Sequence, residues 1–317
     1  MADGAPVSVT PNVSRFDIVF AEHGVLMRRA AKAAVVTGIF MLVIKALAFI
    51  FTDSVAMLAS MADSALDVFG SFINLLAIRQ ALTPADREHR FGHGKAEPLA
   101  GLVQGAFISG SAVFIVIEAV QRLIAPRPVD NGIVGLAVMA VSIAAAVALV
   151  LLQYHVVRRT RSIAINADFT HYLADIVINL GVVLAIVLAT RFGLPLADPV
   201  IGIAVAGILG FGVVNIFRQS YDQLMDRELP DADRERIKAI VSKHPRVCSM
   251  HDLRTRAAGT RSFIQVHIEL DPNLDLFTAH SISDEVEAEV QAAFPQAEII
   301  IHQDPEGYEQ PEPLAKS

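Results

Sequence analysis

Six long apolar stretches, separated by short connections rich in turn residues, dominate the first 222 residues and leave few folds open. They lie near 30–51, 54–81, 97–123, 131–156, 163–190 and 197–219. Each meets the roughly 20 residues that a helix needs to cross a hydrocarbon core about 30 Å thick. The joints carry turn chemistry: Thr52-Asp53, Pro84, Pro126 to Pro128, Arg158 to Arg161 and Gly193 to Pro195. Composition agrees, with 53% hydrophobic and only 19% charged residues and a mean hydropathy of +0.49. Six crossings place both ends on one side. Arg28, Arg29 and Lys32, then Arg87, Arg90 and Lys95, then Arg158, Arg159 and Arg161 flank that side, whereas the alternate loops hold only Arg122, Arg127 and Arg191. Basic loops stay cytoplasmic, so both termini are expected there. Residues 1–28 contain Asp3, Asp17 and Glu22 and lack a basic segment followed by an apolar one, so no cleavable signal peptide is expected.

After Asp226 the pattern changes. A helix over 231–243, strands over 247–256 and 260–270 about a Gly259 turn, a helix over 279–294 and a strand over 297–302 describe an αββαβ, ferredoxin-like domain. The expected fold is thus a polytopic α-helical membrane protein with six transmembrane helices and a C-terminal cytoplasmic α+β domain. Its parts are an N-terminal cytoplasmic segment (1–28), a transmembrane domain (29–222), a cytoplasmic metal-binding domain (223–306) and a flexible tail (307–317). Residues 228–317 carry 17 acidic against 9 basic side chains, which argues against nucleic acid and favours a cation as ligand. A single cysteine, Cys248, excludes an internal disulfide and any Cys-rich zinc knuckle, so a metal must be held by His and carboxylates.

An ionisable side chain inside a membrane is costly enough to suggest function. Asp63 and Asp67 in the second stretch, and His171 and Asp175 in the fifth, are each spaced i, i+4 and so share a helical face. Two buried carboxylates a turn apart repel each other unless protons or a divalent cation share their charge. Four N/O ligands on two rigid helices suit a tetrahedral ion, and the imidazole favours zinc or iron over magnesium. The plainer reading is interhelical hydrogen bonding, the role expected of Asn74, Gln104 and Asn179.

Two further groups lie outside the membrane. The loop Pro84 to Lys95 offers Asp86, His89 and His93, as metal ligands or as a polar connector. In the C-terminal domain, His251, His267, His302 and Asp304 fall on neighbouring strands, residues two apart facing the same way, with His280 on the second helix as a further candidate. His23, His155 and His244 are read as structural. Lys45, inside the first stretch, either snorkels to an interface or faces the bundle. Asp168 is read as ordinary charge at a helix start, and Cys248 as buried filler.

Asp63-Ser-Ala-Leu-Asp67, the loop Phe91-Gly-His93-Gly-Lys95-Ala-Glu97 and His171-Tyr-Leu-Ala-Asp175 together resemble the cation diffusion facilitator family, closely its bacterial zinc and iron efflux branch. The likeness runs from about residue 28 to 306. It implies a homodimer in the bacterial inner membrane, not an enzyme but a secondary transporter that exchanges Zn²⁺ for H⁺ by alternating access. On that likeness Asp63, Asp67, His171 and Asp175 form the transport site and Asp86, His89 and His93 a loop site. His251, His267, His280, His302 and Asp304 form a binuclear site between cytoplasmic domains, and Lys95 and Asp226 a charge interlock. Zn²⁺ is then both substrate and structural ion, with protons and lipid the other partners. The rivals are the same machine carrying Fe²⁺, Cd²⁺, Co²⁺ or Mn²⁺, and a membrane metal sensor that does not transport. An intramembrane metalloenzyme is disfavoured, because no His-Glu-x-x-His occurs and the four ligands leave no open position for water.

Overall fold

The structure, a computed structural model, describes residues 15–52, 55–124, 133–192 and 196–307. The turns expected at Asp53, Pro126 to Pro128 and Gly193 to Pro195, with Arg127 and the end of the chain, lie outside the described residues. Six helices come first: α1 (Arg15–Thr52), α2 (Val55–Ala81), α3 (Ala96–Ile124), α4 (Ile133–Thr160), α5 (Ile163–Phe192) and α6 (Ala197–Leu224). Then follow α7 (Asp231–Val241), β1 (Ser249–Ala258), β2 (Arg261–Leu270), α8 (Leu276–Ala293) and β3 (Ala297–Pro305), the αββαβ order read from the sequence.

Among the described residues, five helices contain segments long and apolar enough to cross a membrane, and α5 adds a sixth helix of 30 residues. The chain is a multi-pass membrane protein. Helix α1 already runs at Arg15, well before the apolar stretch near 30, and its 38 residues span about 57 Å. Hydropathy marks where a helix enters the membrane. It does not end the helix, because Glu22, Arg28, Arg29 and Lys32 are good helix formers themselves.

The chain divides into two units, Val25–Arg227 with the turn residues Ala258–Thr260, and a second built mainly from Glu228–Ala257 and residues 261–307. In the first, the usual arrangement is inverted. Val36, Ile50, Phe51 and Phe211 face outward, while Ser64, Asp67, Ser71, Asn74, Gln104, Gln153, Asp168 and His171 are buried. Lipid solvates an apolar exterior, so backbone and side-chain polar groups must find partners inside. Helices α3 and α6 pack closely at Gly101, where a Cβ would stand 2.5 Å from Ser220 Oγ. Two sharp helix ends use left-handed backbone on non-glycine residues, Arg161 after α4 (φ 54°) and Asp226 after α6 (φ 53°).

The second unit is an ordinary soluble core. Its three-stranded sheet has the order β1-β2-β3, with β2 and β3 parallel and His267 opposite His302. A two-residue connection at Gly259 (φ 64°) joins β1 to β2, which fixes that pair as antiparallel. Ile237 and Val241 from α7, Ile282, Val286 and Val290 from α8, and Ile264, Ile268 and Ile299 from the sheet fill the core. Helix α8 starts at Leu276, before the expected 279, because Asp275 caps it: its Oδ1 accepts the Thr278 N–H at 3.0 Å.

Candidate metal centre

Helices α2 and α5 meet through a ladder of polar contacts that sets their register. Asn74 Nδ2 donates to the Ala164 carbonyl (3.1 Å), Ser71 Oγ donates to Asp168 Oδ1 (3.3 Å), and Asp67 Oδ1 lies 2.9 Å from His171 Nε2. Steps of four and three residues on one helix match steps of three and four on the other, so one face of each is committed along its length and the helices run antiparallel. Ser162 begins α5 by accepting the Ile165 N–H (3.2 Å), and the buried Glu97 accepts that of Ala164 (3.4 Å).

On this ladder, one ligand atom each from Asp67, His171 and Asp175 lies within 4.8 Å of the others, and His171 Nε2 is 3.8 Å from Asp175 Oδ2. Asp67 and His171 are more than nine-tenths buried. Asp63 stands one turn earlier on α2 and is exposed, outside that triplet. The next rung of the same spacing brings it toward Asp175. What the helices present is a compact set of two carboxylates and an imidazole, with a third carboxylate adjacent, and such a set binds either protons or a divalent cation.

Asp168 is not a helix-start charge. It lies in the second turn of α5, fully buried, with Gln153 Nε2 donating to its Oδ2 at 2.6 Å and Ser71 Oγ to its Oδ1. Tyr172, also fully buried, donates to the Ala34 carbonyl (3.2 Å) and lies 3.1 Å from Ser71 Oγ. Four helices are thereby joined one turn below the triplet. Asn74 does bridge helices as expected, whereas Asn179 Nδ2 turns back to the Asp175 carbonyl of its own helix (2.8 Å).

In the loop between α2 and α3, Asp86, His89 and His93 come together: His89 Nδ1 is 3.3 Å from Asp86 Oδ1, and His93 Nε2 is 3.3 Å from Asp86 Oδ2. The Asp86 carboxylate accepts the backbone N–H groups of His89 (2.6 Å) and Glu88 (2.9 Å), which hold its carboxyl below the usual carboxylate range. His93 Nδ1 faces the Thr83 carbonyl at 3.4 Å, an arrangement that leaves Nε2 toward Asp86. Lys95 Nζ and Asp226 Oδ1 pair at 2.9 Å within the same chain, at the surface.

The cytoplasmic strands gather His251, His267 and Asp304. Asp304 Oδ2 is 2.9 Å from His267 Nδ1 and 3.2 Å from His251 Nε2, and its Oδ1 is 3.4 Å from His302 Nε2. Partial burial pushes the Asp304 carboxyl up, but the His267 contact and the three imidazoles outweigh it and hold the group below its ordinary value. His280 lies elsewhere, exposed on α8, 3.7 Å from Asp284. His244 is structural, buried against Glu285 at 3.1 Å. Cys248 is exposed, not buried filler, because it precedes β1 outside the core.

Two neighbours of this cluster escaped sequence reading. Glu269, 3.4 Å from His251 Nδ1, is two residues from His267 on β2, so strand alternation already pointed to it. Asp252, 3.8 Å from His267 Nε2, breaks that alternation: its left-handed backbone (φ 45°) inside β1 lets adjacent residues 251 and 252 reach the same imidazole.

Comparison with known proteins agrees along almost the whole chain. The model of the cation efflux transmembrane domain matches residues 31–225, and that of the cation efflux protein cytoplasmic domain matches residues 229–306. The chain belongs to the cation efflux family, the cation diffusion facilitators, and is a transporter and not an enzyme. It is 45% identical over 285 residues to the cation-efflux pump FieF of Shewanella oneidensis, covering 90% of this chain and 96% of that one. FieF of Cronobacter sakazakii is 42% identical over 284 residues, covering 90% and 94%.

Proposed function

We propose that the chain exports Zn²⁺ from the cytoplasm in exchange for H⁺, by alternating access to a tetrahedral site of Asp63, Asp67, His171 and Asp175. The observation that carries this reading is the convergence of Asp67 and His171, both buried, with the partly exposed Asp175 from two helices of the membrane unit. Metal binding requires deprotonated carboxylates and a neutral imidazole, so entry of the ion expels protons, and protons arriving from the other side expel the ion. Competition at one site gives antiport once the helices expose it alternately. The imidazole favours zinc or iron over manganese.

The topology of this reading puts both termini and residues 223–306 in the cytoplasm of a bacterial inner membrane, with 1–28 and 307–317 as its N-terminal segment and tail. The basic flanks of α1, α2, α3 and α4 support it. Two chains pair, and exposed Leu276 and Phe277 on α8 offer apolar surface for a second copy. Asp86, His89 and His93 hold an ion near the entrance. His251, His267, His302 and Asp304, joined by His280, bind zinc between the two acidic domains and sense cytoplasmic metal.

Purified protein in proteoliposomes, offered Zn²⁺, Cd²⁺, Fe²⁺ and Mn²⁺ in turn under an imposed pH gradient, tests the reading. Zinc flux with opposite proton movement is expected. Faster proton-coupled flux of another ion would transfer the same mechanism to that ion, and zinc binding without flux of any ion would make the chain a sensor.

A further inference from the structure

Lys45 lies in the apolar part of α1, about 10 Å along the helix from its end at Thr52, and takes no part in ligand chemistry. A lysine so placed can snorkel to the interface. This one does not: its Nζ donates to Ser64 Oγ at 2.7 Å, and Ser64 is fully buried on α2 between Asp63 and Asp67. The ammonium is close enough to act on the carboxyls of both Asp63 and Asp175. A cation has thus been brought inside, beside a site whose task is to hold another cation. For affinity alone that placement is unfavourable, because like charges repel.

Charge balance gives it a purpose. Three carboxylates, a neutral imidazole and a divalent ion sum to one negative charge, and moving net charge through a low-dielectric bundle is costly. One fixed ammonium brings the sum to zero. Resting on the antiport reading above, we propose that Lys45, held by Ser64, is the fixed counter-charge of the exchange site, so that the metal-loaded form changes orientation without carrying net charge. Lys45 tunes the site without ligating the ion.

Zinc-for-zinc exchange isolates the loaded half of the cycle. Proteoliposomes filled with zinc are given labelled Zn²⁺ outside, at several potassium diffusion potentials, and Zn²⁺ affinity is measured on the same preparations. Wild type is expected to exchange at a rate independent of potential. Lys45→Gln should bind zinc roughly tenfold tighter and exchange at a rate that varies with potential. Lys45→Arg should behave as wild type, whereas Ser64→Ala, which keeps the charge and loses the contact that fixes it, should shift part of the way toward Lys45→Gln. Lys45→Met replaces the amide variant if that fails to assemble. Potential-dependent exchange by wild type, or a Lys45→Gln variant with wild-type affinity and flat exchange, would overturn the proposal. Absence of any exchange by wild type would instead refute the antiport reading itself.

Discussion

The membrane and cytoplasmic units assemble the same side chains, histidines and aspartates, in opposite surroundings. In the membrane unit, Asp67 and His171 sit buried on two facing helices. In the cytoplasmic unit, His251, His267 and Asp304 sit at one end of a small sheet packed on an apolar core, and each is partly open to solvent. Burial makes the first cluster costly to leave uncompensated, so protons or an ion must always occupy it. Water compensates the second, which can fill or empty at little cost. The proposed function accordingly assigns obligatory exchange to the one and optional occupancy to the other.

The largest expected effect breaks the comparison at its membrane end. Asp175→Ala should lower zinc flux more than a hundredfold while the purified protein keeps its elution volume and helical circular dichroism. Second comes the buried network beneath the site. Asp168→Ala leaves the buried Gln153 amide without its acceptor and Ser71 with Tyr172 alone, and should cost about 1–3 kcal/mol, read as a lower melting temperature in detergent. A mutated surface carboxylate such as Glu287 should leave that temperature within error.

At the cytoplasmic end the effects are smaller. His251→Ala with His267→Ala should reduce the zinc bound per chain and blunt the dependence of transport on cytoplasmic metal, while flux at saturating zinc stays within about threefold. Unchanged stoichiometry and unchanged metal dependence would remove the sensing role. Smallest is the Asp275 cap. Its hydrogen bonds from the Thr278 hydroxyl and N–H hold the carboxyl below its ordinary value, so its stabilisation is complete above the unfolded value, about 3.9, and fades as pH falls through the lower folded one. Asp275→Ala should therefore lower the unfolding temperature of the cytoplasmic domain at pH 7, and the difference from wild type should persist to pH 5 and narrow only below about pH 4.

What the sequence makes legible follows the same contrast. Asp63/Asp67 and His171/Asp175 stand out because an apolar helix offers no other reason for them. Three of those four meet, while Asp63 stands a turn away, and spacing alone cannot set the rotation between two helices. Asp168 is misread for a related reason: five residues into α5 it resembles a helix-start charge, and its partners Gln153, Ser71 and Tyr172 are too ordinary to signal burial. In the sheet, alternation is enough to collect His267, His302 and Asp304. It fails at Asp252, where one left-handed residue redirects the chain.

The central claim is exchange at the buried cluster, and the most direct test measures zinc flux and internal pH together in proteoliposomes holding wild type or Asp67→Ala. Zinc entry coupled to proton exit in wild type, with both signals lost in the variant and its fold intact, is the result this account predicts. Zinc flux retained by Asp67→Ala, or wild-type flux with no proton movement, would contradict it.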